Sequence, residues 1–301
     1  MMNVFRFKLS ILTCFAVFLS FLAHAFWPTL DCYSQIYLNL HKTVRLNGYS
    51  LSLVDCGKRA DKPTIIIEAG LNQTKKAYFG LQRRLMHRAR VITYDHAGIG
   101  GSTVSGNPRT LPFYVEELNA LMDTQGLKPP YIFIGHSMGG LIVRYYAYLH
   151  PESVSGLVFL DHAHEDWFRY VRENWSSEDQ RRYLDYFDPE ITNLEQIKLV
   201  ERAFYEKNQD IIRGIQIPSD IPVLMFTANN ANAFRDSSSA YMKDRNVWAE
   251  MQSSLIKGVE DTTQVIDWSS GHWPHADKPE VVSHLIADFV GRVQQTSPSS
   301  K

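Results

Sequence analysis

Little in this chain points to the protein classes that composition can reveal. Lysine and arginine number 31 against 32 aspartates and glutamates, a formal net charge of -1. With no long basic run either, the electrostatic footprint of a nucleic-acid partner is missing. No internal repeat is visible. Only three cysteines occur, at positions 14, 32 and 56, and long uncharged apolar sequence is confined to residues 9–26.

What is there suits a globular chain: 301 residues, 45% hydrophobic, fill one large domain or two small ones around a buried core. Arg6 and Lys8 precede the apolar stretch, and Ala23-His24-Ala25 closes it with a small-residue cleavage pattern. Residues 1–25 therefore read as a signal peptide and the protein as exported, secreted or periplasmic. The competing expectation is an uncleaved membrane anchor over residues 9–26. Cleavage removes Cys14 and leaves Cys32 and Cys56 as an even pair, free to form a disulfide in an oxidising compartment or to stay as two buried thiols.

Past the leader, residues 44–57 hold Asn47-Gly48 between alternating segments, the signal of a β-hairpin. Short apolar runs then alternate with amphipathic stretches: "PTIIIEAG", "YFGLQRRLMHRA", "RVITYDHAG", "PFYVEELNALMDTQG", "YIFIGHS", "GGLIVRYYAYLH" and "VSGLVFLDHA". Helical patterns between buried strands predict an α/β chain with a mostly parallel central sheet and helices on both faces. The rhythm breaks over residues 165–219, which have helical spacing and no convincing strand. It resumes with "IPVLMFTANN", "NVWAEMQSSLIKGVE", "TTQVIDWSS" and a last helix from Pro279 to about Val293. The predicted organisation is a leader (1–25), a core (26–164 and 220–295), a helical insertion (165–219) and a disordered tail (296–301).

Gly135-x-Ser137-x-Gly139 lies where an apolar strand gives way to a helix. A turn that sharp needs glycine for close backbone approach, lifts the serine hydroxyl above the strand ends, and aims the Met138 N–H at developing negative charge. In this setting the chain resembles the alpha/beta hydrolase family over nearly all of its mature length. "EAGLNQT" (68–74) stands where that family has its oxyanion loop, which implies the Leu71 N–H as second donor. "YDHAGIGGS" (94–102) is similar to the family's Asp-x-x-Gly-x-Gly-x-Ser turn, with His96 where arginine is common. The insertion falls where the family carries its lid, and "SGHWPHADKPEVV" (270–282) is similar to its terminal histidine loop.

The resemblance implies a nucleophile, Ser137, and a base, His272, directly after Gly271; His275 is then a neighbour that shapes the loop. The acid departs from the family pattern, because Asn229, Asn230, Ala231 and Asn232 fill the usual aspartate's place. Asp161, at the end of the preceding strand, and Asp236, later in the same loop, are the substitutes, and Asp161 is preferred; Asp267 is a poor third. Asp161 is alternatively a structural carboxylate capping the next turn. His162-x-His164-x-Asp166 invites a zinc site, but Trp167 stands where a metallo-beta-lactamase motif closes with histidine, so no metal is expected and these residues read as lid-hinge polar groups. Nor does the implied chemistry call for a cofactor.

Trp167, Phe168, Tyr170, Trp175, Tyr183, Tyr186, Phe187, Phe204 and Tyr205 make the insertion aromatic, either as its own packing or as the wall of an apolar acyl or alcohol pocket. The partner expected is a small ester-like molecule, and a membrane only if the leader persists. Amide, peptide or thioester hydrolysis and non-catalytic ligand binding are the alternatives. A serine in the elbow argues against the aspartate-nucleophile chemistries of the fold, haloalkane dehalogenase and epoxide hydrolase.

Overall fold

The computed structural model describes residues 32–38, 40–57, 63–184, 201–230, 244–267 and 269–296. The leader, Tyr186, Phe187, Asp236 and residues 297–301 lie outside the described residues. Among those described, no helix is long and apolar enough to cross a membrane.

Eight strands form one sheet: β1 (Lys42–Arg45), β2 (Ser50–Cys56), β3 (Thr64–Glu68), β4 (Arg90–Tyr94), β5 (Tyr131–His136), β6 (Val154–Leu160), β7 (Val223–Ala228) and β8 (Thr262–Asp267). Their spatial order is β1-β2-β4-β3-β5-β6-β7-β8. β1 and β2 are the predicted hairpin, turned at Asn47-Gly48 with Gly48 at φ 87°, where a side chain would be strained. β2 meets β4 antiparallel, and every later pairing is parallel.

The sheet is covered on both faces, which is why its central strands read as unbroken apolar runs. Alternate residues serve opposite cores. Ile66, Phe133, Leu157, Phe159 and Met225 pack with α2 (Leu111–Thr124) and α3 (Met138–Leu149). Ile65, Ile67, Ile132, Ile134, Val158 and Phe226 pack with α1 (Phe79–Leu85) and the final helix. That helix is α9, Pro279–Thr296, which carries the chain a little beyond the predicted Val293 and into the expected tail. β8 is one of the two edge strands, and its "TTQVID" is accordingly mixed in character and part exposed.

Between β6 and β7 the described residues form α4 (Trp167–Asn174), α5 (Ser177–Leu184), a helical turn at 201–203 and α6 (Tyr205–Ile212). α7 (Arg245–Leu255) joins β7 to β8, and α8 (Pro274–Asp277) precedes α9. A helical segment at 32–37 is tied to β2 by the Cys32–Cys56 disulfide, the first of the two expectations for that pair. Because β3, β5, β6, β7 and β8 are parallel, Glu68, His136, Leu160, Ala228 and Asp267 all end at one edge of the sheet, where such folds place their sites.

Candidate active site

Ser137 stands between β5 and α3 with φ 51° and ψ -121°, a conformation an L-residue adopts only when its surroundings impose it. The surroundings are three glycines in close contact. A Cβ on Gly135 would lie 2.7 Å from the Gly140 Cα; one on Gly139, 2.3 Å from the Glu68 carbonyl oxygen; one on Gly140, 2.2 Å from the His162 Cβ. The start of α3 is thus pressed against the ends of β3 and β6. The Ser137 N–H donates to the Leu160 carbonyl (3.3 Å), and its own carbonyl accepts from Gly140 (3.0 Å) and Ala163 (2.9 Å). Met138 opens the helix, so its N–H has no partner within that helix.

His272 donates from Nδ1 to Asp161 Oδ2 over 2.7 Å, both side chains being buried. A carboxylate only accepts, so the proton sits on Nδ1 and the neutral ring keeps its lone pair on Nε2. The His272 loop is fastened to the serine's strand by His136, whose Nε2 donates to the His272 carbonyl (2.7 Å). Burial, with His272 and His275 nearby, holds His136 well below its ordinary pKa, so it stays neutral beside the pair.

Asp161 is the most heavily solvated carboxylate here, by protein rather than water. Its Oδ1 accepts from the Ala228 N–H (3.1 Å), Arg245 Nη2 (2.9 Å), Trp248 Nε1 (2.9 Å) and Gln252 Nε2 (3.4 Å). Burial by itself would raise its pKa; the Arg245 charge and the His272 and Trp248 hydrogen bonds outweigh that and hold it well below the carboxylate range. Arg245, Trp248 and Gln252 follow one another at helical spacing along one face of α7.

The loop after β3 makes a turn in which Gln73 N–H donates to the Gly70 carbonyl (3.0 Å), with Asn72 at φ 56°. That turn leaves the Leu71 N–H outside its own bond. Leu71 packs with Met138, Trp167 and Phe168 in one apolar cluster. The chain around this site matches the model of the alpha/beta hydrolase fold family over residues 63–211. The chain belongs to the alpha/beta hydrolase family. It is similar to the uncharacterized protein YqjL of Bacillus subtilis, 26% identical over 262 residues that span 86% of this chain and 96% of the relative. It is also similar to monoacylglycerol lipase abhd6-B of Xenopus laevis, 23% identical across 84% of this chain and 83% of that one. Among solved structures, a bacterial membrane phospholipase A shares the fold with a TM-score of 0.57 and 21% identity, over 96% of this chain and 99% of that one.

Not every candidate of this hydrolase is gathered at the edge. His275 stacks on Tyr78, with ring centroids 5.0 Å apart, and burial lowers its pKa to about 4. Asp267 accepts from the N–H and hydroxyl of Ser269 (2.8 and 2.7 Å) and serves its own turn. The zinc-like trio is dispersed: His162 bonds the Ala163 carbonyl, His164 accepts from the Asp166 N–H, and Asp166 pairs with Arg169 and Arg213. No grouping that could hold a metal occurs among the described residues. Of the insertion's aromatics, Trp167, Phe168, Trp175, Tyr183 and Tyr205 are buried in one cluster, which is the packing expectation; that cluster also takes in Met138, beside the serine.

Two groups of residues at this site escaped sequence reasoning. One is the α7 triplet on Asp161. The other surrounds His96, whose Nε2 faces Glu68 (3.0 Å) and Nδ1 faces Glu201 (2.9 Å). Burial opposes its charge, but the hydrogen bonds of Glu201 and Glu68 prevail and raise its pKa to about 10. Spacing held a clue to both: 245, 248 and 252 fall on one helical face, and Glu201 precedes Tyr205, Asn208 and Ile212 on another, all of them buried.

Proposed function

We propose that this hydrolase cleaves a carboxylic-ester-like bond through a serine triad, with Ser137 as nucleophile, His272 as base and then acid, and Asp161 as the orienting carboxylate. The Leu71 and Met138 N–H groups are the oxyanion donors. The observation that carries the proposal is the 2.7 Å His272–Asp161 contact, made at the sheet edge where the Ser137 elbow is built. It supplies the carboxylate that Asn229, Asn230, Ala231 and Asn232 cannot.

In the reaction, Ser137 Oγ adds to the substrate carbonyl carbon while His272 Nε2 takes its proton. Negative charge moves to the carbonyl oxygen, where the two N–H groups receive it. His272, held as a cation by ionised Asp161, returns the proton to the departing alcohol as the carbon–oxygen bond breaks. Water then repeats the two steps on the acyl-enzyme, releasing the acid and Ser137. The apolar cluster around Met138 and Leu71 favours an apolar acyl or alcohol part, in keeping with the lipase among the relatives.

The test is fluorophosphonate labelling together with hydrolysis of nitrophenyl esters of increasing acyl length. Ser137→Ala is expected to abolish labelling and to lower turnover by about 10⁴–10⁶ while the protein stays folded. Activity within about tenfold of the parent would refute the triad.

A further inference from the structure

Glu201 is a fully buried carboxylate that the reaction above leaves unused, and it comes from the segment between β6 and β7 rather than from the core. One oxygen receives His96 Nδ1 (2.9 Å) and the Tyr114 hydroxyl (2.8 Å). The other receives the backbone N–H of Asn72 over 2.6 Å. His96 is clamped between Glu201 and Glu68, and Glu68 is in turn held by the Tyr94 hydroxyl (2.7 Å) at the end of β3, the strand that feeds the loop. Both His96 nitrogens face carboxylates, so both donate and the ring is a cation.

This arrangement bears on the turn at 70–73. Asn72 holds φ 56° there, a region that costs an L-residue and must be held by its surroundings. The Asn72 N–H is the next amide after that of Leu71, and fixing one peptide plane restricts its neighbour. Glu201 therefore aims the Leu71 N–H without touching the substrate.

We infer that Glu201 is a positioning residue for the oxyanion loop, so that the donor at Leu71 is set only while the 201–212 segment is seated on the core. The inference rests on the serine-triad reading. Its signature is a loss in kcat rather than in KM, because the donor acts on charge that exists only in the transition state.

Glu201→Gln keeps an acceptor near Asn72 but loses the charge that grips His96. It is expected to lower kcat, and the rate of fluorophosphonate labelling, by at least about tenfold, bounded by the roughly 10²–10³ that loss of one oxyanion donor costs, with KM within about threefold. Adding Asn72→Gly should recover part of that loss, because glycine occupies φ 56° without strain and the turn no longer depends on the carboxylate. A merely structural defect in the segment would not be mended by a glycine in another loop. Should Glu201→Gln not fold, Glu201→Met with His96→Leu and Glu68→Gln removes the buried cation together with both of its carboxylate partners, and the same kcat loss and glycine rescue are read there. A folded variant with parental kcat, or a loss that Asn72→Gly leaves untouched, overturns the inference. Parent protein that fails to label overturns the triad instead.

Discussion

Asp161 has two duties that pull on the same atoms. Its Oδ2 accepts from His272 Nδ1 at 2.7 Å, and both of its oxygens accept from the buried Arg245 guanidinium, at 2.9 and 3.1 Å. Asp161→Asn is accordingly expected to lower turnover by about 10⁴ through the wrong imidazole tautomer, and also to destabilise the fold by about 3–5 kcal/mol because Arg245 is left buried and uncompensated. Combining it with Arg245→Met removes both charges, since the Trp248 and Ala228 N–H groups can still donate to the asparagine oxygen. That double variant should regain much of the lost stability in urea titrations and none of the turnover. Recovery of turnover would mean that another carboxylate serves His272. His96 reads in the same terms: two carboxylates enclose the imidazole and keep it a cation up to alkaline pH.

At the scale of elements, the serine's placement depends on how closely α3 approaches β3. Gly139 permits that approach, since any Cβ there meets the backbone oxygens of Glu68 and Ala69 at 2.3 and 2.7 Å, atoms that cannot swing aside as a side chain would. Gly139→Ala must push α3 off the sheet and is expected to cost about 1–3 kcal/mol or more in stability, with fluorophosphonate labelling nearly lost. Denaturant midpoints and labelling rates measure the two effects, and an alanine variant with parental values of both would show that the helix does not need this contact. Helix α7 matters for a different reason. It follows β7 in the chain and brings three donors, one of them the cation Arg245, to the carboxylate at the end of β6.

For the whole molecule, buried histidines set a stability window. In the unfolded chain each titrates near its ordinary 6.5. His162 and His275, lowered by burial to about 3 and about 4, and His136, held well below its ordinary value by the same cause, stay neutral when folded. Below pH 6.5 the unfolded state therefore binds more protons, and stability falls as pH drops; Asp161, whose folded pKa is depressed, adds to that loss below its ordinary 3.8. His96 has the opposite sign. Its pKa of about 10 when folded means the native state keeps a proton the unfolded chain has lost, so its contribution is full below pH 6.5 and is lost as pH rises toward 10. Urea midpoints are expected to peak near neutrality and to fall on both sides. His96→Gln should flatten the alkaline side between about pH 7 and 9.5, and His275→Phe should shallow the acid side; an unchanged alkaline slope in the former would show that His96 is neutral in the native protein.

The sequence by itself determined what depends on local pattern: the hairpin at Asn47-Gly48, the alternation that makes a parallel sheet, the elbow around Ser137 and the histidine loop. These were legible because backbone conformation follows from neighbours a few residues apart, and because glycine is required where chains touch. The choice of Asp161 as the carboxylate that meets His272 was only a preference in the sequence, since the end of β6 and the loop after β7 are both expected at the sheet edge that the histidine loop reaches. The contact itself spans 111 residues and exists only once the sheet is assembled. Glu201 and Arg245 lay further out of reach. Each is a charged residue on a helix, a class that is mostly solvated, and what drew them inside was a partner 105 and 84 residues away whose opposite charge makes burial tolerable. Periodicity can place such a residue on the inward face of its helix, but only tertiary structure decides which buried charge it meets.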